Sequence, residues 1–274
     1  MDNQSLQYLQ SKSFLRQFKS ISIIWYREII IYFRNRLKLF TSIFLPLLIL
    51  VFLGTGMKTI LPTNILPYDF SEVFFSGILG LSVAIMALSS TMTIVWDREF
   101  GFLREILVSP ISRTDIAVGK ILGSCTVALF QGFLLLLVFP YVHIVFSPAI
   151  FLATLGVIFL LTYGMSAIGI YFASRLQRTE SFSFLTQLVF APMVFLSGAL
   201  FPLTAAPVWM IKAASFNPLA YGIDALRWTI LHSSFSHSQL VNITLHPLFT
   251  CLLVLIIFNI IMTFLSIKVF QKIK

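Results

Sequence analysis

Uncharged apolar runs recur along this chain, and most are long enough to cross a bilayer. No Asp, Glu, Lys or Arg interrupts the sequence from Leu39 to Met57, or from Val73 to Trp96. Residues 121–174 form a longer uncharged stretch, broken near Pro140 and Pro148, with room for two crossings joined by a short hairpin. Two further runs fit at about 182–202 and 248–267. A helix needs about 20 mostly apolar residues to span the hydrocarbon. The pattern predicts an all-α, polytopic membrane protein of one domain over residues 1–274. Its six transmembrane helices fall at about 39–57, 73–96, 119–141, 150–173, 182–202 and 248–267.

The segments between the runs have patterns of their own. In residues 13–36, Phe14, Phe18, Ile21, Trp25, Ile29 and Tyr32 recur at intervals of three or four, with Arg16, Lys19, Arg27 and Arg34 around them. That spacing makes a basic amphipathic helix, which lies in the membrane interface. Residues 97–105 hold five charges in nine, and Phe100, Leu103 and Leu107 share a helical face. A short surface helix is expected there, stopped by Ser109–Pro110. Ser112 and Asp115 have capping-box spacing and open the next span. Between spans five and six, Asn217 followed by Pro218 marks a helix start, and Asp224 and Arg227 are i,i+3 neighbours able to pair. This outer stretch is apolar enough to dip into the membrane edge as a re-entrant segment.

Composition agrees: 58% of residues are hydrophobic and 11% charged, too little charge to wet the surface of a soluble globule. The net charge of +9 does not point to nucleic acid. Sixteen of the 19 Lys and Arg residues fall in 1–38, 97–120, 175–180 and 268–274; Lys58, Lys212 and Arg227 are the remainder. Such a bias puts both termini on the cytoplasmic or equivalent side. The N-terminal stretch is expected to stay in place, because no cleavable signal pattern precedes the first span.

Chemistry is absent more than present. The one Gly-Lys pair, Gly119–Lys120, is followed by Ile121, so the phosphate-cradling GxxxxGK[ST] loop is missing. Cys125 and Cys251 lie in apolar runs and read as buried small side chains, and His232, His237 and His246 have no metal-site spacing. No catalytic, cofactor or metal site is expected. The apolar runs hold no ionisable group for a proton or ion relay, which places the energy source outside the chain.

The stretch from Trp96 to Lys120 (WDREFGFLREILVSPISRTDIAVGK) resembles the cytoplasmic loop of type-2 ABC transporter permeases. Residues 192–202 (PMVFLSGALFP) and 217–227 (NPLAYGIDALR) are similar to that family's fifth span and outer re-entrant helices. The likeness is to the drug-resistance and nodulation-export branch, which also occurs in cyanobacteria and plastid genomes. It implies a permease that pairs with a second permease copy or paralogue and with separate ABC ATPase subunits, in a bacterial inner membrane or a plastid membrane with both termini cytoplasmic or stromal. The 97–108 helix would be the coupling helix seated on the ATPase, carried by Asp97, Arg98, Glu99, Gly101, Arg104, Glu105 and Pro110. Asn217, Pro218, Asp224 and Arg227 would belong to the outer re-entrant segment. The implied function is ATP-driven export or flipping of an amphipathic substrate; a scaffold without its own transport cycle and an ATP-independent carrier are the alternatives. Ser82, Ser89 and Thr93 of span two, with Met86, share a face, and Ser183 and Gln187 sit in span five. They could line a substrate path, although small polar stripes also serve as helix-packing faces.

Overall fold

The protein is described by a computed structural model covering residues 3–60, 70–108, 111–138, 144 and 147–272. Apart from one short 3-10 turn at Leu203–Ala205, the regular structure among these residues consists of α-helices. They are α1 (Asn3–Arg34), α2 (Arg36–Ile60), α3 (Phe70–Ser90), α4 (Thr93–Glu99), α5 (Phe102–Val108), α6 (Arg113–Leu136), α7 (Pro148–Ala173), α8 (Thr179–Phe195), α9 (Val208–Ala214), α10 (Pro218–Leu231), α11 (His237–Ile243) and α12 (Leu248–Phe270).

Five helical stretches are long and apolar enough to cross a membrane: Arg36–Gly54, Ser71–Glu99, Arg113–Leu136, Pro148–Ala173 and Leu248–Phe270. The second runs through α3 and α4, with a turn at Thr91–Met92 between them. The expected fifth span at 182–202 is corrected to α8, which stops at Phe195. Pro192 lies in its last turn, and Gly198 just beyond has φ +73°, a left-handed conformation that glycine adopts without a Cβ clash. The 17 residues of α8 reach about 26 Å at 1.5 Å per residue, a few ångströms short of the hydrocarbon.

Helix α3 is the buried centre, with Val83, Ala84 and Ala87 fully enclosed. Helices α6, α7 and α10 pack around it, and α2 lies alongside. Outward faces of α2 and α12 carry Phe40, Phe44, Phe52, Phe249, Ile260 and Phe264, all exposed, a surface suited to lipid. Helix α10 lies inside the bundle against α3, α7 and α12, and Leu219 to Arg227 of it are buried. The stretch expected to be re-entrant thus contributes a helix packed within the bundle.

Helix α1 packs along α6. The amphipathic pattern at 13–36 is part of a longer helix, and its buried seam is Ser20, Ile24, Glu28 and Tyr32, whereas Phe18 on the aromatic face is exposed. The seam docks on α6 at Gly119 and Gly123. A Cβ on Gly119 would stand 3.0 Å from Ile24 Cβ, and one on Gly123 would stand 2.6 Å from Glu28 Cβ. Glycines four apart let two helices approach this closely. Trp25 Nε1 donates to Thr126 Oγ1 at 2.9 Å across the same contact.

Candidate coupling end and ligand groove

The charged run after span two does not stand free. Asp97, Arg98 and Glu99 are consecutive residues of α4, and each side chain engages different helices. Asp97 is gripped by both nitrogens of the Arg27 guanidinium, at 2.9 and 2.5 Å. Arg98 donates to the carbonyls of Leu176 and Ser174 at 2.6 and 3.0 Å, satisfying backbone acceptors just past the end of α7. Glu99 accepts from the backbone N–H of Thr179 at 3.2 Å and from its hydroxyl. It caps α8 from outside that helix, where Arg178 at the cap position offers no side-chain bond.

Lys120 of α6 joins Asp97 to Glu28. Its Nζ lies 2.8 Å from Glu28 Oε1 and 2.8 Å from Asp97 Oδ2, and its side chain is 1% exposed. Thr93 Oγ1 donates to Glu28 Oε2 at 2.7 Å. Two carboxylates are thus balanced by two cations, as buried charge requires. The hydrogen bond and the charge of Asp97 raise the pKa of the half-exposed Arg27 above its ordinary value against the opposing effect of burial. The expectation that the spanning helices lack ionisable groups is corrected here: Asp97 and Lys120 sit in helices of membrane-crossing length, neutralised in pairs. Glu28 was not a candidate site residue. Its signal in the sequence was the Gly119–Gly123 spacing around Lys120, which calls for a close helix and a counter-charge on it.

The expected coupling helix at 97–108 is two pieces. Gly101, with φ +85°, breaks the chain between α4 and α5. Leu103 holds α5 to the bundle, buried beside Ile94, Val95 and Ile116. Phe100, Phe102, Glu105 and Val108 face outward, Val108 at 87% exposure. Ser112 Oγ accepts from Asp115 N at 3.0 Å and caps α6. Pro110 lies outside the described residues, as does the side chain of Arg104.

At the opposite end, Asn217 Oδ1 accepts from Leu219 N at 3.1 Å with Pro218 in the first turn of α10, and Asn217 Nδ2 donates to Met193 O at 2.7 Å. Arg227 and Asp224 stand 4.0 Å apart, but each is held more closely elsewhere. Arg227 donates to Ile243 O at 3.0 Å and Gly198 O at 2.5 Å. Asp224 accepts from the N–H groups of Leu245 and His246 at 3.1 and 3.2 Å. These two side chains fasten the exit of α8 and the entry to α12 onto α10.

The residues expected along a substrate path divide. Ser89, Ser183 and Gln187 line a groove of about 300 Å³ between α3 and α8, with Thr186, Phe182 and Phe190. Ser82 and Thr93 do not reach it: Ser82 is buried and donates to Ile78 O at 2.6 Å, and Thr93 serves Glu28. The outward positions of this helix are Ile85, Ser89 and Met92, so the stripe turns inward at both of its ends.

A family model described as ABC-2 type transporter matches residues 19–231. A protein named as transport permease ycf38 in Cyanophora paradoxa is 29% identical over 209 residues, covering 75% of this chain and 72% of that one. Its namesake in Pyropia yezoensis is 30% identical over 233 residues, covering 82% and 77%. Nodulation protein J of Rhizobium leguminosarum bv. viciae is 26% identical over 215 residues, covering 78% and 80%.

Proposed function

This chain belongs to the ABC-2 type transporter family, and on that premise we propose that it is the membrane subunit of an ATP-driven exporter. A separate ATPase supplies the energy, a second copy or a paralogue completes the path, and an amphipathic substrate is carried or flipped. Helix α8 is the fifth of six crossings, thinned at its outer end, and both termini face the cytoplasm or stroma in a bacterial or plastid membrane.

One observation carries the reading. Helix α5 offers an outward face of Phe102, Glu105 and Val108 to a partner, and it hangs from α4, whose three charged residues are tied to α1, α6, the end of α7 and the start of α8. A push on α5 is thereby delivered to most of the bundle as a displacement of packed helices. The missing phosphate-binding loop agrees with an outside source of the push.

The test is co-purification. The chain, tagged and expressed with its neighbouring or nucleus-encoded ABC ATPase, retains that ATPase and supports substrate-dependent ATP turnover. Replacing residues 100–108 with Gly and Ser abolishes both. Normal transport after that replacement overturns the proposal, and ATP turnover indifferent to substrate favours the scaffold.

A further inference from the structure

A small recess opens where α1 meets α2. Glu28 and Asn35 line it, with Lys38 of α2, Ser90 at the end of α3, Trp96 of α4 and Ser124 of α6. Ser90 and Ser124 are 5% and 1% exposed, and neither hydroxyl has a hydrogen-bond partner. Elsewhere in the bundle hydroxyls are satisfied locally: Ser82, Thr126 and Thr162 each donate to a carbonyl of their own helix. A buried hydroxyl left without a partner weakens the fold, and two of them facing one recess point to an occupant. The charges around it do not cancel either. Glu28 and Asp97 are already matched by Lys120 and Arg27, which leaves Lys38 over. Its half-buried ammonium makes no hydrogen bond or ion pair among the described residues.

We propose that this recess holds the phosphate diester of an anionic phospholipid, a resident lipid of the leaflet nearest α5. An anion answers the surplus positive charge, and its oxygens accept from the Lys38 ammonium and the two serine hydroxyls in charge-assisted bonds. The enclosed volume of about 20 Å³ takes one water-sized group. A single phosphate oxygen therefore enters to reach Ser90 and Ser124, while the rest of the headgroup stays at the mouth beside Lys38 and Asn35. The level in the membrane fits as well. Trp96 closes the uncharged run that begins at Val73, and tryptophan settles where hydrocarbon meets headgroups. Leu37, Leu45, Leu48 and Phe52 share a face of α2 with Lys38, and all four are exposed, a track for an acyl chain. A free phosphate ion shares the headgroup chemistry but has no use for that track.

The experiment uses the full chain in detergent with dioleoyl phosphatidylglycerol, dioleoyl phosphatidylcholine or inorganic phosphate added. Bound lipid per chain is read by native mass spectrometry, and the unfolding temperature is read beside it. Phosphatidylglycerol binds saturably and raises the unfolding temperature by about 5 °C at saturation. Phosphatidylcholine, whose own ammonium cancels the phosphate charge, binds about fivefold more weakly, and inorganic phosphate leaves the unfolding temperature where it was. Lys38→Gln weakens phosphatidylglycerol about fivefold, and Ser90→Ala with Ser124→Ala weakens it about tenfold. The serine pair leaves the lipid-free protein as stable as before or more so, since the hydroxyls have no partners in the fold; a merely structural role predicts a loss. Arg36→Gln removes an exposed cation outside the recess and leaves binding within about twofold. Equal losses in the Lys38 and Arg36 variants would mean diffuse surface attraction and overturn the site. Equal binding of the two lipids, or unaltered affinity in the serine pair, would overturn it too. Stabilisation by inorganic phosphate to the same extent would assign the recess to a free ion and overturn the lipid. None of these readouts involves the ATPase, so the exporter reading stands or falls separately.

Discussion

Lys120 neutralises two carboxylates from two different helices in a place closed to water. Taking away one partner of a buried ion pair strands the other charge and destabilises by about 3–5 kcal/mol. Lys120→Met is therefore expected to lower the unfolding temperature of the purified protein sharply, and Lys120→Arg to lower it far less. Adding Glu28→Gln to Lys120→Met recovers part of the loss, because one stranded charge is gone. A thermal-shift series over these variants checks it, and additive losses would contradict a shared cluster. Half of this cluster was legible beforehand. The charge of Asp97 stood out in the sequence, but its direction did not. Glu28 was hidden because the apolar stripe that periodicity picks out on α1 only partly overlaps its buried seam of Ser20, Ile24, Glu28 and Tyr32: Tyr32 belongs to both, whereas Phe18 is exposed.

Among the elements, the junction of α4 and α5 turns on Gly101. Its φ of +85° is a region that side chains rarely enter, at a penalty of about 1–2 kcal/mol. Gly101→Val is expected to redirect α5 with little effect on the bundle, so that membrane insertion and monomer stability persist while ATPase co-purification falls at least fivefold. A protease-protection assay separates the two readouts. Gly123→Leu acts on another element: its side chain meets the Glu28 carbons and lifts α1 from α6, which cross-linking between positions 25 and 126 would report as lost. The sequence reading of helix bounds goes furthest astray at α8, where Pro192 and Gly198 end the helix inside an uncharged stretch.

For the whole molecule, topology is the open arithmetic. With six crossings, Val108 and Gln271 lie on one side of the membrane and Phe216 on the other. Val108 and Phe216 are exposed, at 87% and 90%. The native Cys125 and Cys251 are buried, out of reach of a water-borne reagent. Single Val108→Cys, Phe216→Cys and Gln271→Cys variants can therefore be labelled from each side over a low background. Membrane-impermeant maleimide applied outside is expected to reach position 216 alone. Labelling of position 271 with 216 left silent would mean five crossings, with α8 folded back. Five of the six expected crossings were within reach of hydropathy because lipid demands long apolar runs. The way α10 enters the bundle was not, since its contacts with α3, α7 and α12 join distant parts of the chain.

The three anchors in a row at 97–99 also bear on how such a protein can be altered over evolutionary time. Successive helical residues point about 100° apart, so an insertion or deletion within this triplet would swing the anchors beyond it off their targets together. Beyond Gly101 no such indexing applies. On the proposed reading the segment 100–108 would be an interchangeable cassette, through which the ATPase that a chain recruits could be exchanged without altering the rest of the bundle. A chimera carrying that segment from a relative is expected to pull down the relative's ATPase, whereas a one-residue insertion after Asp97 yields no stable protein.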